Sequence, residues 1–366
     1  MKGKVLIAGA SGVVGSAAME VFLADGWEVV ALSRRSPEIR HKGPYQHLAV
    51  DLRDEAASHV ALGALGGVTH VVFAALYELP GLIAGWNDPN QMDTNMAMLS
   101  NCVEPLLLTP GVLQHVTIMQ GTKAYGIHLH PMDIPARESG PRDPHANFYW
   151  LQEDYLKARG PVARFAYTIM RPPMIVGGAI GAAMNMALVL GVYAAICREE
   201  GLPFGFTGGV PFVWEALDSR VLAKACLWAA QSPNSRNEIF NISNGDVFDW
   251  RSTWPAIADA VGIAPAADTP MSMAQFLPTK IATWDRIVER HGLRKIGLLE
   301  LLGESHHIAD FCVFHGATEP LPPAFMSTIK LRKAGFGEVC DTEDMFRYWL
   351  GDLIDRGLLP RCAQPR

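Results

Sequence analysis

Two polar features of this chain have residue types and spacing suited to chemistry. The first is Gly9, Gly12 and Gly15, a G-x-x-G-x-x-G run in Ile7-Ala-Gly-Ala-Ser-Gly-Val-Val-Gly-Ser16. Glycine lets a backbone turn tightly and approach a pyrophosphate, whose charge the unpaired N–H groups of a following helix can meet. The second is Lys123, a lone lysine in Gln120-Gly-Thr-Lys-Ala-Tyr-Gly126, directly after the apolar stretch Val112–Met119. Taken alone, it reads first as a solvated loop charge and only second as a catalytic cation.

The glycine run needs a strand before it and a helix after it to hold a nucleotide. Lys4–Gly9 supplies the strand, and Val13–Gly26 has helical periodicity with Gly26 in C-cap position. Further apolar runs predict parallel strands at residues 28–33, 47–52, 70–75, 115–120 and 165–173, alternating with helices such as 86–103. The expected fold class is α/β, a Rossmann-type doubly wound parallel sheet with a smaller, mainly helical substrate-binding domain. We expect residues 1–175 to form the dinucleotide domain, with a returning segment near 211–245. Residues 176–210 and 246–366 would then form the second domain, where Met, Phe, Trp and Pro accumulate.

The end of the second strand selects the nucleotide. An NAD site would place a carboxylate about 20 residues beyond the glycine loop, whereas this chain has Ser33, Arg34 and Arg35. Hydroxyl and guanidinium donors suit a 2′-phosphate, so the expected cofactor is NADPH/NADP+. Asp51 and Leu52, closing the third strand, would lie near the adenine.

Composition narrows the partners. A net charge of −6 with scattered Lys and Arg argues against a nucleic-acid surface, and 49% hydrophobic residues give ample material for a core. The six cysteines (Cys102, Cys197, Cys226, Cys312, Cys340 and Cys362) have no paired spacing, as expected of free thiols in a reducing, cytoplasmic setting. Residues 177–197 carry no charge, but their Gly and Ala content and Asn185 favour a buried helix over a membrane span. His128 and His130, or His306, His307 and Asp310, lack a recognisable ligand spacing, so no metal is expected. Met184, Met186, Met271 and Met273 would suit an apolar, adaptable substrate cavity.

The glycine spacing resembles that of extended short-chain dehydrogenase/reductases, whose active site usually pairs Tyr-x-x-x-Lys on a helix with a Ser or Thr after the fifth strand. Here none of Tyr45, Tyr77, Tyr125, Tyr149, Tyr155, Tyr167, Tyr193 and Tyr348 has a lysine four positions on, and Gly121 stands where the hydroxyl is usual. Lys123 in its displaced place, Asn147-Phe-Tyr-Trp-Leu-Gln-Glu-Asp154, Arg171–Gly177, 192–208 and 237–262 instead resemble the progesterone 5β-reductase and iridoid synthase-like branch of that superfamily. In that branch the lysine follows the fifth strand and a tyrosine stays on the helix. The second helical tyrosine of the family is Trp150 here, which leaves Tyr149.

The resemblance implies NADPH-dependent reduction of an activated C=C bond in an apolar enone or enal. Tyr149 would donate to the enolate oxygen and Lys123 would support it. The implied cofactor site runs over Gly9, Ser11, Gly12, Val13, Val14, Gly15, Ser33, Arg34, Arg35, Asp51, Leu52, Ala74, Ala75, Gln120, Gly121, Tyr149, Pro173 and Ile175. Direct reduction of a ketone or aldehyde, or a non-catalytic NADP-binding sensor, are the alternatives, and a homodimer is left open. Tyr125 reads as structural.

Overall fold

The computed structural model describes residues 2–109, 112–319 and 321–361; Cys362 lies outside them. The chain begins β1 (Lys4–Ala8), α1 (Val13–Ala24), β2 (Glu28–Leu32), β3 (Gln46–Leu48), α2 (Glu55–Gly63), β4 (His70–Phe73), α3 (Pro89–Val103), β5 (His115–Met119), α4 (Phe148–Ala163) and β6 (Ala166–Arg171). It continues β7 (Met174–Val176), α5 (Met186–Glu200), β8 (Val213–Trp214), β9 (Ala216–Asp218), α6 (Ser219–Gln231), β10 (Glu238–Asn241), β11 (Phe248–Asp249) and α7 (Trp250–Ala260).

Seven strands form one sheet in the order β10-β6-β5-β4-β1-β2-β3, every neighbouring pair parallel. The order reverses between β1 and β4, so the crevice beyond their C-terminal ends is where a doubly wound sheet accepts a ligand. Helices cover both faces, and β4 and β6 are accordingly buried at every position. Ala17, Ala18 and Phe22 of α1 pack with Ala225 and Ala229 of α6 on one side. Leu99 and Val103 of α3 and Leu156 of α4 pack on the other.

Local sequence and tertiary context disagree in three places. The third strand stops at Leu48 instead of reaching residue 52, because it is an edge strand whose partner β2 ends at Leu32. The cap of α1 is Asp25, with Gly26 following in the left-handed region at φ +79°. In the apolar stretch 177–197, helix starts only at Met186, and α5 is buried at all twelve positions to Cys197. Helices Ile281–His291, Ser305–Cys312 and Thr342–Asp355 pack around it. Among the described residues no helix is long and apolar enough to cross a membrane. The described cysteines are free thiols.

Candidate active site

At the sheet's switch point the glycines are required by contact. A Cβ on Gly15 would stand 2.1 Å from the Gly9 carbonyl oxygen. Gly9 itself sits at φ +80°, where a Cβ would meet the Ala74 carbonyl at 2.6 Å. Those approaches draw the Gly9 loop, Ala74 and the start of Ala75 together. Helix α1 opens at Gly12 with no side-chain cap, so its first-turn N–H groups remain for an anion. Gly177, just after β7, lies under Val13, whose Cγ1 is 2.8 Å from its would-be Cβ. This uncapped, Cβ-free cradle fits a dinucleotide pyrophosphate.

The basic turn divides its residues between tasks. The Ser33 hydroxyl is buried and donates to the Arg35 carbonyl at 2.6 Å, so it is already engaged. The Arg35 guanidinium donates to the Ile180 and Gly181 carbonyls at 3.4 and 3.2 Å. Arg34 is exposed, and its charge helps lower the Asp51 pKa, an effect owed first to hydrogen bonds from Arg53. Leu52 is buried, with its carbonyl accepting from Asn101 Nδ2 at 2.8 Å.

Lys123 and Tyr149, far apart in the chain, come together. A single 3-10 turn, Thr122–Tyr125, follows β5 and carries the lysine. Tyr149 stands in the first turn of α4 because Asn147 caps that helix, its Oδ1 accepting from the Tyr149 N–H at 3.1 Å. The phenol ring is buried against Phe148, and its hydroxyl lies 3.2 Å from where a Gly121 Cβ would be. The Lys123 amine sits 6.0 Å from the Tyr149 ring centroid and 4.0 Å from that of Trp86.

Burial governs the charges here. It pushes the Tyr149 phenol well above its ordinary pKa, with Glu78 adding to the effect. It lowers the Lys123 amine to about 8, against an opposing pull from Glu78. Glu78 in turn is raised by burial and drawn back by Lys123 and by a 2.7 Å hydrogen bond from Gln91 Nε2. The arrangement offers a neutral phenol donor and an amine in one desolvated setting.

Neighbouring groups serve positions. Gln120 accepts from Arg171 Nε at 2.8 Å and donates to the Tyr149 carbonyl at 3.2 Å, so its side chain braces the two elements. The Tyr125 hydroxyl donates to Asn241 at 2.6 Å, which makes it structural. Trp150 turns away, donating to the His145 carbonyl at 3.0 Å. Pro173 and Ile175 flank the start of β7, which packs near α1. Met186 and Met273 are core residues, while Met184 and Met271 lie at that core's margin. No cluster able to hold a metal occurs among the described residues.

An apolar slot of about 70 Å³ lined by Ile127, Met132, Phe212, Trp214 and Phe314 lies on the chain leading away from the Lys123 turn. The larger concavity, about 400 Å³, is lined by Lys157, Arg164, Tyr167 and Arg236, at the end of α4 opposite Tyr149; its position separates it from the Lys123 pocket. Glu78, Trp86 and His128 were not foreseen as pocket residues. Glu78 is the sole charge in Ala74–Trp86, and a carboxylate inside an apolar run was the available signal.

A family model described as a PRISE-like Rossmann-fold domain matches residues 49–300. The 3-oxo-Delta(4,5)-steroid 5-beta-reductase of Arabidopsis thaliana is 30% identical over 81% of this chain and 79% of its own. An (S)-8-oxocitronellyl enol synthase of Antirrhinum majus is 29% identical over 79% of this chain and 77% of its own. Among solved structures, the UDP-glucose 4-epimerase of Thermus thermophilus in complex with NAD superposes with a TM-score of 0.65. It covers 96% of this chain and 98% of its own at 20% identity, a likeness of fold.

Proposed function

The chain belongs to the PRISE-like Rossmann-fold family, and from that premise we propose that it reduces the activated C=C bond of apolar enones or enals with NADPH. The observation that carries this reading is the buried Tyr149 phenol beside Lys123, over a glycine where a hydroxyl side chain would crowd it. Similarity to a named steroid 5-beta-reductase supports it.

The Gly9–Gly15 loop and the first turn of α1 would hold the pyrophosphate, and Arg34 the 2′-phosphate. When bound, the reduced nicotinamide supplies a hydride. Addition at the β-carbon moves negative charge onto the carbonyl oxygen, and Tyr149 donates a hydrogen bond to that oxygen. A phenol kept protonated by burial remains a donor throughout. Lys123 contributes a positive field that is strong because the pocket is desolvated. Solvent then supplies the proton at the α-carbon. We assign residues 1–175 and 211–245 to nucleotide binding and 176–210 and 246–366 to the substrate side.

NADPH oxidation with a panel of cyclic and linear enones, on wild type, Lys123→Ala and Tyr149→Phe, tests the assignment. The expected product is the saturated carbonyl, with both variants strongly impaired. An allylic alcohol would instead mark a carbonyl reductase. NADPH binding with no turnover on any enone would mark a sensor, and full turnover by both variants would remove them from the mechanism.

A further inference from the structure

The loop after β4 is bolted to α3 in a way that a mere connection does not need. Gln91 and Asn95, one turn apart on α3, are both almost fully buried. Asn95 accepts from the Tyr77 N–H at 2.9 Å and returns a bond to the Tyr77 carbonyl at 2.8 Å. Gln91 Oε1 accepts from the Leu79 N–H at 2.7 Å. Its Nε2 donates to Glu78 Oε2, also at 2.7 Å. Two buried amides therefore hold the residues on either side of Glu78, and one of them holds Glu78 itself. The same loop lays the Trp86 ring over the Lys123 amine at 4.0 Å.

We infer that Glu78 is a positioning residue for the reaction, the counter-charge that supports Lys123 as an ammonium beside a Tyr149 phenol already held neutral by burial. The inference rests on the reading of Lys123 and Tyr149 given above. A carboxylate that acts through space on an amine and a phenol favours the protonated form of each. Its effect is felt by both, raising the phenol and opposing the loss of the lysine's proton.

The other groups facing Lys123 do not substitute for it. His128, from the lysine's own segment, is held at about 4, first by burial and then by His145 and Lys123, so it is neutral near pH 7. Tyr149, from α4, is likewise neutral. Trp86 offers only its ring face. Arg171, which also acts on Tyr149, is engaged by Gln120 and Glu153. Glu78 acts on Lys123 through charge rather than through a hydrogen bond.

The test is the pH dependence of enone reduction in wild type, Glu78→Gln and Glu78→Asp, with kcat and KM measured separately. Removing a nearby opposite charge lowers a lysine pKa by about one unit. In Glu78→Gln the alkaline limb of kcat therefore moves to lower pH by about that amount. The variant's loss relative to wild type grows roughly fivefold between pH 6 and pH 8. KM stays within a few-fold. Glu78→Asp, which keeps the charge but withdraws it by one methylene, moves the limb in the same direction by less and keeps the test available if Glu78→Gln does not fold. Isotope-labelled lysine NMR in the nucleotide-free protein reads the Lys123 titration directly. Superimposable profiles and an unmoved Lys123 titration overturn the inference. If Lys123→Ala keeps full turnover, the reaction assignment falls, while the NMR titration still decides whether Glu78 sets the charge of Lys123.

Discussion

The Tyr149 hydroxyl lies 3.2 Å from the position a Cβ on Gly121 would occupy. Glycine there leaves the space above the strand end to the phenol. A serine would bring its Cβ into tight contact and its hydroxyl farther still. Gly121→Ser should therefore displace Tyr149 by a few tenths of an ångström to an ångström and lower kcat on enones by ~10–100-fold. NADPH affinity, measured by fluorescence titration, should change little. Unchanged turnover would mean that the phenol does not depend on that space.

Loss of the phenolic hydroxyl should remove a donor without altering packing. Tyr149→Phe is expected to lower kcat by ~10²–10⁴-fold. Its unfolding midpoint should stay near that of wild type, because the ring contact with Phe148 persists. Stopped-flow hydride transfer at saturating NADPH measures the first quantity and chemical denaturation the second.

Lys123 has a folded-state pKa of about 8, lowered from 10.5 chiefly by burial. Enone reduction in wild type should accordingly decline as pH rises through about 8, because the ammonium is lost there. The stability consequence has the opposite direction. Between the two values the unfolded chain binds the proton that the folded chain has given up, so the lysine costs stability below about 8 and the cost fades toward 10.5. Lys123→Met should then be inactive yet more stable at pH 7 by ~1–3 kcal/mol, with the gain shrinking at pH 10. Urea unfolding at the two pH values checks the sign.

The cofactor turn should show unequal roles for adjacent arginines. Arg34→Ala is expected to raise KM for NADPH by ~10-fold or more and to leave KM for NADH nearly unchanged. Arg35→Ala should affect both cofactors alike, since its guanidinium binds the Ile180 and Gly181 carbonyls. Steady-state kinetics with the two nucleotides distinguishes these outcomes.

Gly15→Ala should abolish nucleotide binding. A Cβ 2.1 Å from the Gly9 carbonyl cannot be accommodated without moving the backbone that forms the cradle. Isothermal titration with NADPH should show no binding under conditions where wild type saturates.

The sequence by itself determined the elements made from local patterns. Apolar runs separated by amphipathic stretches specify parallel strands with crossover helices, because a strand buried on both faces has no polar positions to spare. The glycine spacing likewise marked its turn, since the close backbone approach at Gly15 excludes every other side chain. The order of the strands, the short reach of β3 and the late start of α5 depend on neighbours distant in the chain, and only the tertiary structure decided them. So did the charge of the pocket. Lys123 and Tyr149 are candidates by resemblance, whereas Glu78 becomes one only when Gln91 and Asn95 fix its loop to α3. An acidic side chain acts through the distance and dielectric between charges, and neither is written in the order of residues.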